Sequence, residues 1–235
     1  MTTTLITGAN KGLGFETARQ LIAAGHTVYA GCRDAGRGQR ACAQLGARMV
    51  LIDVTDDASV AAAAKAIEAD GGLDVLINNA GIEERAPDNA VIGPADVTPA
   101  IMRPVLETNV LGLIRVTHAF LPLLQRSAAP VIVNLSSSLG SMTKVTTPGT
   151  PQFAYPGVAY PASKAAVNMI TIQFAKAFPG MRINAVEPGY TKTDLNGNTG
   201  IQTVEEGATV IVAMAKVGPD GPTGSYFEAA GPLPW

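Results

Sequence analysis

The stretch "ITGANKGLGFETARQL", residues 6–21, places three glycines where a β-branched run gives way to a helical pattern. "TLIT" before Gly8 reads as a strand, and "GFETARQLIAAG" from Gly14 reads as a helix. The familiar dinucleotide fingerprint is G-x-G-x-x-G, but Gly8, Gly12 and Gly14 are spaced G-x-x-x-G-x-G. In this setting Gly8 allows a tight turn, Gly12 a close backbone approach, and Gly14 a tight fit of the helix start on the sheet. The N–H groups at that helix start would favour an anionic pyrophosphate. Taken alone, the stretch is equally a plain strand-to-helix loop.

Outward from it, short β-branched runs alternate with alanine-rich helical stretches. "TVYAGC", "RMVLIDV", "DVLINNA", "PVIVNLS", "RINAVEP" and "GSYFEA" follow the first strand, which makes seven in all. One long helix is expected over "PAIMRPVLETNVLGLIRVTHAFLPLLQ". Strands without polar alternation are buried on both faces, as in a parallel sheet covered by helices. Right-handed crossovers then give an α/β, doubly wound Rossmann fold with ligands at the strands' carboxyl ends. Residues 1–235 are expected to form one domain, and the Pro-, Thr- and Gly-rich residues 141–159 a flap on its surface.

Composition agrees. The 235 residues are 47% hydrophobic and only 15% charged, which suits a folded globule rather than a disordered chain. A net charge of −2 gives no reason to expect nucleic acid or an anionic membrane as partner. No apolar stretch approaches the ~18 residues of a membrane span, and no signal-like start is seen. Cys32 and Cys42 fit no metal spacing, and His26 and His118 are isolated. The expectation is a soluble cytoplasmic protein without a metal.

Two further stretches carry chemistry. The second strand ends in "AGCRD": Cys32 holds the strand-end position where an acid would face an adenine ribose, and Arg33 is the first residue beyond it. A guanidinium there suits a 2′-phosphate, and Lys11 in the glycine loop adds a second cation. Asp34 opposes them as one displaced carboxylate, so NADP(H) is favoured over NAD(H). In "AYPASKAAV", Tyr160 and Lys164 stand at i and i+4 on one helix face. A neighbouring ammonium would lower the phenol's pKa and bring it into range for proton exchange with an alcohol or carbonyl oxygen. "VIVNLSSSLG" ends the fifth strand with Ser137, whose hydroxyl can donate to that oxygen. "DVLINNAG" offers Asn79, Ala80 and Gly81, small enough to admit a cofactor, and Asn109 sits inside the long helix, where an amide is an indifferent helix former.

Together these motifs resemble the short-chain dehydrogenase/reductase family along essentially the whole chain. The matching patterns are T-G-x-x-x-G-x-G from Thr7, N-N-A-G at residues 78–81, Ser137 with Gly140, Tyr160 with Lys164, and the P-G of "VEPGYTKTD". The resemblance implies that the glycine loop, with Asn10, Lys11 and Leu13, holds the phosphates. It also implies that Tyr160 is the acid/base, that Lys164 lowers its pKa and binds the nicotinamide ribose, and that Ser137 orients the carbonyl oxygen. Asn109 would support a water-linked proton path to Lys164. Asp53 and Val54 match adenine contacts, and Pro188, Gly189, Thr191 and Thr193 match the segment beside the nicotinamide. Two features depart from the pattern. The Ser137-to-Tyr160 spacing is long, as in the carbonyl-reductase-like branch, some of whose members are monomers, so oligomer and monomer both stay open. Thr191 stands where an aliphatic residue is usual.

The resulting expectation is an NADPH-dependent reductase of ketones or aldehydes, reversible as an alcohol dehydrogenase. The alternative is a non-catalytic NADP-binding regulator on the same scaffold. An epimerase or dehydratase would need a larger carboxyl-terminal substrate region. Phe153, Tyr155, Tyr190, Leu195 and Trp235 are pocket candidates and favour an apolar or aromatic substrate.

Overall fold

A computed structural model describes residues 2–235. β1 (Thr3–Thr7) leads through the glycine loop into α1 (Gly12–Ala23), followed by β2 (Thr27–Cys32), α2 (Ala35–Leu45), β3 (Arg48–Leu51), α3 (Asp57–Ala69) and β4 (Val75–Asn78). The second half holds α4 (Pro99–Leu106), α5 (Gly112–Leu124), β5 (Val131–Leu135), the short α6 (Met142–Thr146) and α7 (Pro151–Ala154), then α8 (Ala159–Ala177). β6 (Arg182–Val186), α9 (Val204–Ala215), β7 (Tyr226–Glu228) and β8 (Gly231–Pro232) complete it. The sheet order is β3-β2-β1-β4-β5-β6-β7-β8. Strand order reverses between β1 and β4, the place where such sheets open a crevice for a ligand.

Neighbouring residues on each central strand are buried on opposite faces, which is why these strands read as unbroken apolar runs. Leu5, Leu76 and Ile132 pack with Val60 of α3 and Phe120 of α5, whereas Ile6, Ile77 and Val133 pack with Leu21 of α1 and Ile211 of α9. Each such side chain contributes ~1.5–3 kcal/mol on removal from water. Gly14 is required by this packing: a Cβ there would lie 2.5 Å from the Gly8 carbonyl oxygen.

Three expectations are corrected. The sheet has eight strands, not seven, because Gly231–Pro232 turns back antiparallel on β7; a two-residue strand leaves no periodic trace. The long helix is not continuous: residues Glu107–Leu111 form a π-turn between α4 and α5. The third concerns detail only: the segment 141–159, expected as a flap, has helical structure of its own. It carries α6 and α7, and the Ser141 and Thr143 hydroxyls donate to the carbonyls of Pro234 and Trp235 at 2.8 and 2.9 Å.

Candidate active site

The carboxyl ends of β5 and β6 and the first turns of α8 bring the chemistry together. Three consecutive serines follow β5, and each hydroxyl has a different partner. Ser136 is buried and donates to Asn168 Oδ1 at 2.5 Å; Ser138 accepts from Gln152 Nε2 at 2.9 Å. Ser137 alone meets the Tyr160 phenol. One turn further along α8, Lys164 is buried, and its Nζ lies 5.4 Å from the centre of the Tyr160 ring. That ammonium donates to the Leu135 carbonyl at 2.8 Å, so the end of β5 fixes both Ser137 and Lys164.

Asn109 gains its reason from the π-turn, a feature that often marks functional positions. The turn aims its buried amide at the segment after β4. Oδ1 accepts from the Ile82 N–H at 2.8 Å, and Nδ2 donates to the Ile82 carbonyl at 2.9 Å and to Ser163 Oγ at 3.0 Å. Its side chain therefore holds residues 81–82 against α8, beside Lys164.

The electrostatics differ from the expectation for Tyr160. Burial pushes the phenol up, Glu83, Glu187 and Tyr155 add to that, and only the Ser137 hydrogen bond opposes it. Lys164 does not bring it down in this state, because its ammonium stands beside the ring and is itself destabilised by burial, to a pKa of about 8. Two carboxyls that the sequence reading passed over face the centre. Glu187 is 9% exposed, and burial pushes its carboxyl up to about 7. Glu83 pairs with Arg85 at 2.8 Å and receives the Tyr155 hydroxyl. The available signal was the charge at the end of the apolar run "RINAVEPG".

The cleft between β1 and β4 fits a dinucleotide. Gly8 and Gly12 have φ of +68° and +56°, and Lys11, at the N-cap of α1, makes no side-chain capping bond. The loop is thus open to an anion at a helix start. Thr193 faces it: a Cβ on Gly12 would lie 3.7 Å from Thr193 Cγ2. Asn10 and Leu13 are half-buried beside the loop. Arg33 is exposed at the β2 end and within electrostatic reach of Asp53, whose carboxylate is held by the Thr55 N–H at 2.9 Å. Asp34 caps α2 by accepting from the Arg37 N–H at 2.7 Å. The Cys32 thiol does not face the cleft as expected; it is buried, and a Cβ on Gly38 would lie 3.4 Å from its sulfur.

Some expected contacts have other partners. The Asn79 amide donates to the Thr7 and Gly8 carbonyls at 2.7 and 3.2 Å, and so supports the loop from behind. The Thr191 hydroxyl is turned inward onto the Pro188 carbonyl at 3.0 Å, and its own carbonyl accepts from Asn196 Nδ2 at 2.9 Å, so only its backbone N–H is left to serve a ligand. Val54 is buried, its carbonyl taken by Arg115. Ala80 and Gly81 line the end of β4, where a Cβ on Gly81 would lie 3.7 Å from Lys164 Nζ. Pro188 and Gly189 form the turn after β6, Gly189 with φ of +77°.

Residues 2–204 match the family described as short chain dehydrogenase. This chain belongs to that family. The chain is 32% identical to the (+)-neomenthol dehydrogenase of Capsicum annuum, over 95% of this chain and 94% of the relative. It is also 32% identical to the salutaridine reductase of Papaver bracteatum, over 96% and 94%. Both alignments, of 295 and 294 positions, exceed this chain's 235 residues, so the relatives carry segments it lacks. Among solved structures, NADPH-bound carbonyl reductase from chicken fatty liver superposes with a TM-score of 0.86 at 29% identity, covering 100% of this chain and 99% of that one. The salutaridine reductase of Papaver somniferum superposes at 0.85, also with 29% identity, over 97% and 99%. These likenesses support an oxidoreductase that uses a nicotinamide cofactor.

A hollow beside Tyr160 is lined by Tyr155, Val91, Ile92, Ile101 and Glu83. Of the expected pocket residues, Tyr155 lines it, while Phe153, Tyr190 and Leu195 stand exposed on the segments that follow β5 and β6. Trp235 does not line it: its ring stacks on Tyr226 at 5.3 Å. Among the described residues, no helix is long and apolar enough to cross a membrane.

Proposed function

We propose that this protein is an NADPH-dependent reductase of ketone or aldehyde carbonyls, acting reversibly. The observation that carries the reading is the meeting of Ser137 and Tyr160 beside Lys164, with the two neighbouring serines bonded elsewhere. A bound nicotinamide would supply the hydride; the remaining work falls to the chain's own side chains. Ser137 and Tyr160 receive the carbonyl oxygen, and the protonated phenol donates to it as negative charge develops. Lys164, held by the Leu135 carbonyl, presents an ammonium to the ribose and stabilises phenolate once the proton has left.

The glycine loop with Lys11, together with Thr193, would cradle the pyrophosphate, and Arg33 the 2′-phosphate. Asp34 caps α2 and pairs with Arg37, which offsets its repulsion of that phosphate. Pro188, Gly189 and the Thr191 backbone would flank the nicotinamide, and Ala80 and Gly81 would admit the adenosine side. Residues 1–235 act as one catalytic domain, with 141–159 as its flap. Val91, Ile92, Ile101 and Tyr155 beside Tyr160 would favour apolar or aromatic carbonyl compounds. Two buried, unpaired cysteines are consistent with the cytoplasm.

Following NADPH absorbance with a panel of aliphatic, cyclic and aryl carbonyls tests this. Turnover that disappears in Tyr160→Phe supports the reading. Tight NADPH binding with no turnover of any carbonyl would replace it with a regulatory role.

A further inference from the structure

Glu187 ends the run "RINAVE" directly before the Pro188-Gly189 turn, and it is the one ionisable residue in that run beyond Arg182. It is 9% exposed. Its backbone N–H donates to the Phe227 carbonyl at 2.7 Å, which fixes the residue between β6 and β7. The carboxyl meets the Ser138 hydroxyl and the Gly189 N–H, but Oε2 is buried without a partner. A buried carboxylate with an unpaired oxygen costs stability, so its presence at the reacting end of the sheet calls for a role. The groups that face it come from α8, β7 and the turn after β5. They are Lys164 and Tyr160 on α8, Tyr226 and Glu228 on β7, and Ser138 after β5. Only Lys164 is cationic, so Glu187 is the local counter-charge to the one ammonium in the site.

We propose that Glu187 is a positioning residue of the proton transfer, whose buried carboxylate beside Ser138 adds to burial and Glu83 in keeping Tyr160 proton-bearing and keeps Lys164 an ammonium. The proposal rests on the reading of Tyr160 as the acid. Lys164 stabilises phenolate once the proton has left, and the negative charge of Glu187 opposes that. It therefore biases the centre toward reduction, where the phenol must still hold its proton. Ser138 couples the carboxyl to the residue next to Ser137, so the same group also steadies the hydroxyl that receives the substrate oxygen.

The test uses Glu187→Gln, which keeps the shape and removes the charge, and Glu187→Asp, which keeps the charge. In the first arm, the lysine side-chain NMR signal absent from Lys164→Met is titrated in each protein without cofactor. In Glu187→Gln it should lose its proton at lower pH, by on the order of one unit. In Glu187→Asp it should titrate as in the parent. In the second arm, the rising limb of kcat against pH for alcohol oxidation should move to lower pH in Glu187→Gln and return in Glu187→Asp. A merely structural residue would lower kcat without moving either titration. Should the glutamine variant fail to fold, Glu187→Ser, small and neutral, is read the same way. An unmoved Lys164 titration in a folded neutral variant overturns the proposal. If the parent turns over no substrate, the functional reading fails while the NMR arm still decides this one.

Discussion

Lys11 Nζ and Asp194 Oδ2 lie 2.7 Å apart, joining the glycine loop to the segment after Pro188-Gly189 across the cofactor cleft. Both side chains are more than half exposed, and exposed pairs of this kind contribute ~0–1 kcal/mol to stability. Asp194→Asn should therefore leave Tm almost unchanged. It should also tighten NADPH, because it frees Lys11 and removes a carboxylate from the phosphate path. Fluorescence titration at fixed salt measures this. Weaker binding in the variant would mean that the pair clamps the cofactor rather than competes with it.

Cofactor choice separates Arg33 from its neighbour. A charge-assisted contact to the 2′-phosphate is worth ~1.5–3 kcal/mol, and each ~1.4 kcal/mol is tenfold in affinity. Arg33→Ala should weaken NADPH roughly 10–100-fold relative to NADH. Asp34→Ala should instead cost ~0.5–2 kcal/mol of stability as a lost helix cap, with the NADPH/NADH ratio of kcat/KM unmoved. A ratio that shifts with Asp34 would place its carboxylate at the ribose. Cys32→Asp is a poor switch toward NADH, since it would bury a carboxylate against α2.

The serine triplet predicts a graded outcome. Ser137→Ala and Tyr160→Phe should each lower kcat, the tyrosine change by ~10²–10⁴-fold, while NADPH binding persists. Ser138→Ala should be milder, because that hydroxyl meets Gln152 and Glu187 rather than Tyr160. Ser136→Ala should appear mainly in stability, through the lost bond to Asn168. If Ser138→Ala proved as damaging as Ser137→Ala, the assignment within the triplet would be wrong.

Glu187 also predicts how stability depends on pH. Burial raises its folded-state carboxyl from the usual 4.5 up to about 7, so the folded protein holds this proton more tightly than the unfolded chain. That contribution is complete below about pH 4.5 and is lost as pH rises through 7. A shift of this size corresponds to roughly 3 kcal/mol as an upper bound. Glu187→Gln should therefore gain on the parent between pH 5 and pH 8 in urea denaturation. A stability difference that stays constant across that range would contradict the burial argument.

How much of this was legible follows from where each signal lies along the chain. The glycine loop and the Tyr160/Lys164 pair are local: strand, turn and helix periods are read within a few residues. That the sheet is mostly parallel and covered by helices followed from strands without polar alternation; the order of its strands did not. The π-turn at Asn109 was visible only as an amide in an unlikely place, because the backbone extension answers to a contact with residue 82. The strand Gly231–Pro232 exists only through its pairing with β7. Lys11 and Asp194 are 183 residues apart in sequence, and no local pattern relates them. Tyr160's electrostatics were misjudged because an i, i+4 spacing reveals the ammonium but not the depth of burial or the carboxyls arriving from β4 and β6.

Met142, Phe153, Tyr190 and Ile201 are 63%, 52%, 49% and 84% exposed on the segments that follow β5 and β6, and Tyr190 comes within electrostatic reach of Tyr155. The longer relatives carry additional chain that this protein does without. Exposed positions of this kind tolerate replacement within about ±0.5 kcal/mol, whereas the serines and Lys164 are locked into the sheet. The exposed rim and the locked centre are thereby built from separate residues. A lineage descending from this protein can rewrite that rim with no compensating change in the core.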